Sequence, residues 1–242
     1  MTQHVSVSAL PNLKDYSGLL CDRIYLALRN AILKLEFAPG EVIRKGPICE
    51  HFGVSRAPLS DALRKLSDQG LVEIIPQSGT RVAKLSMKEI REGSVLREAL
   101  EMTAAEHAAV KRSENQLRQL SRNMQMQKLL VDDDAFGEFH KYDEQFHDLI
   151  MESSGISILP ATVQMVSLQV NRARLLLLPV PGRLAETLSE HQTIFDAIQA
   201  GSPDEAAKAM RCHLRQLIKR LEPLGQNRPD LFDETEQADE TE

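Results

Sequence analysis

The sequence predicts a mainly α-helical chain in two parts, a winged helix-turn-helix followed by an all-α antiparallel bundle of about six helices. Three observations lead there. Two short helical stretches, closed by His51-Phe52-Gly53-Val54 and by Gly70, precede two strand-like runs joined by Pro76-Gln77-Ser78-Gly79. Past Leu85 the periodic segments keep the helical spacing, and no further strand alternation occurs. Finally, 242 residues with 42% hydrophobic content are enough for two compact cores.

Residues 1–15 lack periodicity and are expected to form a flexible lead-in. Between Tyr16 and Leu35, the residues Leu20, Ile24, Ala27, Leu28, Ala31 and Ile32 make one helical stripe, ended by Phe37-Ala38-Pro39-Gly40. In the helix-turn-helix, Gly53 suits the left-handed turn between the helices, and Ser55 is placed to N-cap the second helix. Pro58 falls in that helix's first turn, and Leu59, Leu63 and Leu66 form its buried stripe. Leu71–Ile75 and Thr80–Ala83 read as strands. The wing then gives way to helices predicted at Met87–Lys111, Ser113–Leu130, Asp134–Glu152, Ile158–Leu178, Leu184–Ala200 and Pro203–Leu221. From Gln226 the chain is acidic and poor in large apolar residues, the composition of a disordered tail. The expected domains are therefore 16–85 and 86–225, with a tail over 226–242.

Charge divides along the same line. The net charge is −6, yet residues 1–85 carry +3 and the remainder −9. A basic reading head on an acidic second domain fits a helix-turn-helix that places its second helix in the major groove of double-stranded DNA. No apolar run approaches the ~20 residues of a membrane helix, and the N-terminus lacks a basic, apolar leader. Cys21, Cys49 and Cys212 form neither a CxxC pair nor a disulfide framework. A cytoplasmic protein is expected.

The runs RNAILKLEFAPGEVI, FGVSRAPLSDALRKLSDQGLVE and PQSGTRV resemble the N-terminal domain of the GntR family of bacterial transcription regulators, over about Tyr16–Leu85. The all-α remainder resembles the FCD effector domain of that family's FadR-type branch. The resemblance implies a homodimer on a pseudo-palindromic operator, more often a repressor, controlled by a small carboxylate effector. It makes Arg56 the principal base-contacting candidate, through the bidentate fit of guanidinium to guanine. Ser55 would bond phosphate, and Gly79 would let the wing backbone approach the duplex. Two positions depart from the family pattern. Ser60 stands where a second recognition-helix arginine is usual, and Lys45-Gly46-Pro47 replaces a glutamate-arginine start, so that Arg44 and Lys45 become candidate phosphate contacts. Arg64 reads equally as a phosphate contact or as part of a solvated helix face.

Four polar residues of the second half have metal-ligand chemistry. Asp143 and His147 are four apart, on one helix face. His191 and His213 lie equally far from Ser202, in the turn between two consecutive helices, so an antiparallel pair sets them level, ~16 Å from that turn. Three imidazoles and one carboxylate suit Zn²⁺, with Ni²⁺ or Mn²⁺ as alternatives. The residues alone leave open that these are unrelated core or surface side chains. Resemblance to FCD domains, many of which carry D-x-x-x-H followed by two later helical histidines, implies the metal site. His140, one turn before Asp143, is expected to face solvent, its alternative being a partner that supports the ligands from behind. The resemblance also implies an effector-facing arginine near Arg97, whose alternative role is an ion pair with Glu101 on the same helix. Arg172 and Arg174 are further effector candidates. Two other functions use the same four ligands: a sensor for which the metal is itself the signal, and a metal-dependent hydrolase activating water.

Overall fold

The computed structural model describes residues 10–177 and 180–233. Its described residues fall into two compact units, one formed by the chain up to Ser86 together with the residues from Arg228 onward, the other by Met87–Asn227. No helix among them is long and apolar enough to cross a membrane.

The first unit contains α1 (Leu20–Leu33), β1 (Val42–Ile43), α2 (Lys45–Phe52), α3 (Arg56–Asp68), β2 (Val72–Ile75) and β3 (Gly79–Val82). Ile24, Ala27, Leu28 and Ile32 of α1 pack against Leu59, Ala62, Leu63 and Leu66 of α3, all fully buried. An ion pair between Lys65 and Asp22 and a hydrogen bond from Tyr25 Oη to Gln69 Oε1 (2.9 Å) tie the same two helices together. Gly53 takes φ 64°, which lets the chain reverse between α2 and α3. The wing turn places Pro76 ahead of Gln77 at φ 60°, with Ser78 N–H donating to Ile75 O. Beyond the predicted hairpin there is a third strand. Val42 and Ile43 pair antiparallel with Arg81 and Thr80, giving the sheet order β1-β3-β2. Two residues are too short a run to show alternation in the sequence.

The described residues at 10–15 and 226–233 are structured, where flexible segments were expected. Residues 1–9 and 234–242 lie outside the described residues, as do Leu178 and Pro179. Within the expected flexible lead-in, however, Leu10 and Leu13 are buried, and Arg23 Nε donates to Leu13 O (2.9 Å). The first helix accordingly starts at Leu20 rather than Tyr16. Gln226 and Asn227, assigned to a disordered tail, belong to a helix that begins at Gln216. Arg228–Phe232 follow as a 3-10 turn that forms a parallel bridge from Phe232 to Leu85, with Leu231 and Phe232 buried. Leucine and phenylalanine anchors outweigh the polar residues around them.

The second unit is helical throughout: α4 (Met87–Lys111), α5 (Glu114–Asp132), α6 (Phe136–Ser153), α7 (Leu159–Val166), α8 (Leu168–Leu177), α9 (Arg183–Ala200), α10 (Pro203–Leu214) and α11 (Gln216–Asn227). α4 packs against α6, α7, α8, α9 and α10. Its buried Ala104, Ala105, Ala108 and Ala109 let neighbours come close. A capping box of Ser113 and Gln116 starts α5. Two helices predicted as continuous are each broken, at Ser167 and at Arg215. Ser167 N–H still donates to Val163 O and Arg215 N–H to Arg211 O, so the helical period passes through both breaks. That continuity hides them from the sequence.

Gly93 on α4 sets the approach to the first break. A Cβ there would stand 2.6 Å from Val166 O and 3.2 Å from Val170 Cγ2. Gly93→Ala gains about 1 kcal/mol of helix propensity but meets a backbone oxygen that cannot rotate away, and overpacking costs about 1–3 kcal/mol. A lower midpoint in denaturant unfolding is expected. A rise would mean that α7 can move aside freely.

Candidate functional site

Asp143 and His147 project from α6, His191 from α9 and His213 from α10. One ligand-type atom from each lies within 4.8 Å of the others, and all four residues are buried. Gly201 and Ser202 turn α9 back into α10, setting the His191 and His213 rings 4.7 Å apart. Phe146 stacks on His191 at 4.3 Å and closes that side with an apolar ring.

The outer nitrogens fix the orientation of the rings. His147 Nδ1 meets Glu101 Oε2, and His213 Nδ1 meets Glu190 Oε2 at 2.7 Å. His191 Nδ1 meets Gln127 Oε1 at 2.8 Å. The amide of Gln127 is oriented by its own donation to Asn123 Oδ1 (2.7 Å), so that oxygen is an acceptor. Each imidazole therefore turns its Nδ1 outward to an acceptor and its Nε2 inward. His147 Nε2 and His213 Nε2 stand 3.2 Å apart, and His191 Nε2 is 3.4 Å from Asp143 Oδ1 with no donor. Three imidazole nitrogens and one carboxylate oxygen thus converge on one small, buried volume. A divalent cation is the group that such a set accommodates, and three imidazoles with one carboxylate match the donors of Zn²⁺.

Electrostatics support the same assignment. Burial, reinforced by the nearby Arg174, holds His191 and His213 well below the usual imidazole range, so both are neutral at pH 7. Burial works to raise the Glu101 carboxyl, but Arg97 and the hydrogen bond from His147 outweigh it and keep the group ionised. Glu190 is held by Arg220 at 2.9 Å. The second oxygen of Asp143 accepts from Arg174. His140, expected in solvent, is 8% exposed, and burial followed by Arg174 and Arg97 lowers its pKa to about 3.

A cavity of about 420 Å³ adjoins this centre. Arg97 and Arg174 line it together with Glu101 and His147; Arg97 also forms the ion pair with Glu101 that the sequence offered as its alternative role. Arg172 does not line it. That side chain is fully buried on α8, donates to Gln169 Oε1 (2.9 Å) and has its pKa lowered by burial to about 10. Sequence reasoning identified the four inner residues but not their outer acceptors. Glu101 and Glu190 stood beside residues already singled out, whereas nothing in the sequence marks Gln127.

In the first unit, Arg56, Ser60 and Arg64 fall on successive turns of α3, opposite its buried stripe. Arg56 is exposed, Ser60 half-buried, and Arg64 exposed in an ion pair with Asp61 (2.9 Å). Ser55 occupies the N-cap position without a side-chain capping bond, so its exposed hydroxyl does not have the local role predicted for it. Arg44 is exposed at the N-cap of α2 and Lys45 half-buried behind it. Gly79 sits exposed on the wing at φ 111°.

A winged helix-turn-helix together with a helical bundle is the build of a transcription regulator. The chain belongs to the gntR family of bacterial regulatory proteins: residues 20–82 match that family and residues 92–216 match the FCD domain. It is 31% identical over 212 residues to the HTH-type transcriptional repressor RspR of Escherichia coli K12, covering 88% of this chain and 93% of that one. It is 26% identical over 232 residues to the HTH-type transcriptional repressor NanR of Cronobacter sakazakii, covering 86% and 88%. E. coli McbR/YncC shares the fold, with a TM-score of 0.73 at 17% identity over 86% of this chain and 99% of that one. The protein is a DNA-binding transcription regulator and not an enzyme, which sets aside the hydrolase reading.

Proposed function

We propose that this regulator is a homodimeric repressor whose operator affinity is set by a small organic acid bound beside a divalent metal. Asp143, His147, His191 and His213 would hold the metal, Zn²⁺ by preference. The observation that carries this reading is the inward convergence of three imidazoles and one carboxylate oxygen, each imidazole being held from outside by an acceptor at Nδ1. The metal, when bound, supplies a Lewis-acidic position for a carboxylate oxygen. Arg97 and Arg174 add cationic groups on the adjoining cavity wall. An acid that favours one placement of the two reading heads must shift operator affinity by the same coupling free energy. The names of the relatives RspR and NanR support repression.

Metal content of the purified protein, measured by elemental mass spectrometry, tests the centre. About one metal per subunit is expected in wild type, with loss in His213→Ala. Protein that holds none, and takes up none from added Zn²⁺, Ni²⁺ or Mn²⁺, would sink the four-ligand assignment. On the DNA side, Arg56→Ala is expected to weaken binding to a fragment selected with wild-type protein by about 1–3 kcal/mol, roughly 5- to 150-fold. Unchanged affinity in an electrophoretic mobility titration would remove Arg56 from the base-reading set.

A further inference from the structure

The cavity beside the metal centre has two unlike walls. Its inner end is formed by Arg97, Arg174 and His147, with Glu101 paired to Arg97 and His147. Farther along α6, Glu144, Asp148 and Glu152 follow at intervals of four, one per turn on the cavity side. Asp148 and Glu152 form no hydrogen bond or ion pair among the described residues, whereas Glu98, Glu186 and Glu190 are each engaged by arginines. Exposed carboxylates often lack partners, so the row alone specifies nothing. Ser167 supplies an independent observation. It lines the same cavity, is 2% exposed, and its Oγ has no hydrogen-bond partner among the described residues. A buried hydroxyl left unsatisfied is costly, and a polar ligand in the cavity would satisfy it.

We infer that the cavity takes a zwitterionic acid, with its carboxylate at the Arg97–Arg174 end, an ammonium or guanidinium group against Asp148 and Glu152, and Ser167 Oγ bonding one of these charged groups. This names the effector class within the function proposed above and rests on it. The helix sets the length. Asp148 is five residues beyond Asp143 and Glu152 nine, about 7.5 and 13.5 Å along the axis, so charges some 6–12 Å apart reach both ends. A dicarboxylate of that length would set its second carboxylate against Asp148 and Glu152, a like-charge contact that specific sites avoid. An uncharged chain would desolvate Asp148 and leave Ser167 without a partner.

Titration calorimetry on the zinc-supplemented full chain tests this with three probes of similar length: 5-aminopentanoate, pentanoate and glutarate. The amino acid is expected to bind at least ~10-fold more tightly than either other acid, and Asp148→Asn/Glu152→Gln should erase the difference. Both substituted residues are exposed, so the core stays intact. Equal or tighter binding of glutarate or pentanoate overturns the inference. So does the absence of 5-aminopentanoate binding at about 10 mM by protein that holds its metal. Metal content measured on the same samples separates the cases: protein that holds no metal and binds none of the acids fails the underlying effector reading as well.

Discussion

His191→Ala protein is expected to bind Zn²⁺ at least about 100-fold more weakly than wild type, since loss of an outer partner alone costs 10–100-fold and this change deletes a donor. His191 is fully buried, its Nε2 has no hydrogen-bond partner among the described residues, and it sits between the Phe146 ring and Asp143 Oδ1. Its removal also leaves Gln127 Oε1 facing a void. Competition with a chromogenic chelator reads the affinity directly. Thermal unfolding supplies a second reading, because a ligand bound only by the folded state stabilises it by about 4 kcal/mol at a thousandfold excess over its Kd. Wild type should gain stability on adding zinc, and the variant should gain little. Zinc affinity within tenfold of wild type would show that His191 is a packed core histidine and no ligand.

Phe232→Ala is expected to destabilise the winged unit by about 3–5 kcal/mol, the range for emptying a buried phenylalanine site. Phe232 is 3% exposed, and Leu85 N–H donates to Leu231 O while Asp233 N–H donates to Leu85 O, both at 3.0 Å. These bonds extend the polypeptide of the first unit with a strand-like segment from the far end of the chain. Hydrogen exchange on the full-length protein localises the effect. Amides of α1, α3 and β3 should exchange faster, with α5, α6 and α9 unchanged. Unaltered exchange throughout would show that the closing segment only rests on the unit. Because marginal domains carry only about 5–15 kcal/mol in total, a loss of this size should also reduce operator binding.

Local chemistry made much of this protein legible. Asp143 and His147 are four residues apart on one helix, and Gly201-Ser202 announces the reversal that sets His191 level with His213; neither inference needs information from outside those segments. The leucine stripe of α3 and the Pro76–Gly79 turn are equally local signals. Signals failed where the cause was distant. Gln127 reaches His191 across 64 residues and Glu101 reaches His147 across 46, so their roles exist only once α4, α5, α6 and α9 pack together. The two-residue β1 is a strand only because β3 lies beside it. The breaks at Ser167 and Arg215 keep their helical hydrogen bonds and leave the period intact.

By itself, then, the sequence determined the winged helix-turn-helix, the helical second half, and the placing of Asp143 with His147 on one helix face and of His191 level with His213, since periodicity and turn chemistry act over a few residues. Tertiary structure decided that these four side chains converge, which acceptors hold them from outside, the placing of Arg97 and Arg174 on one cavity wall and Arg172 off it, and the burial of Leu231 and Phe232. Each of these depends on which atoms packing brings within about 3 Å of one another, a distance that sequence separation does not encode.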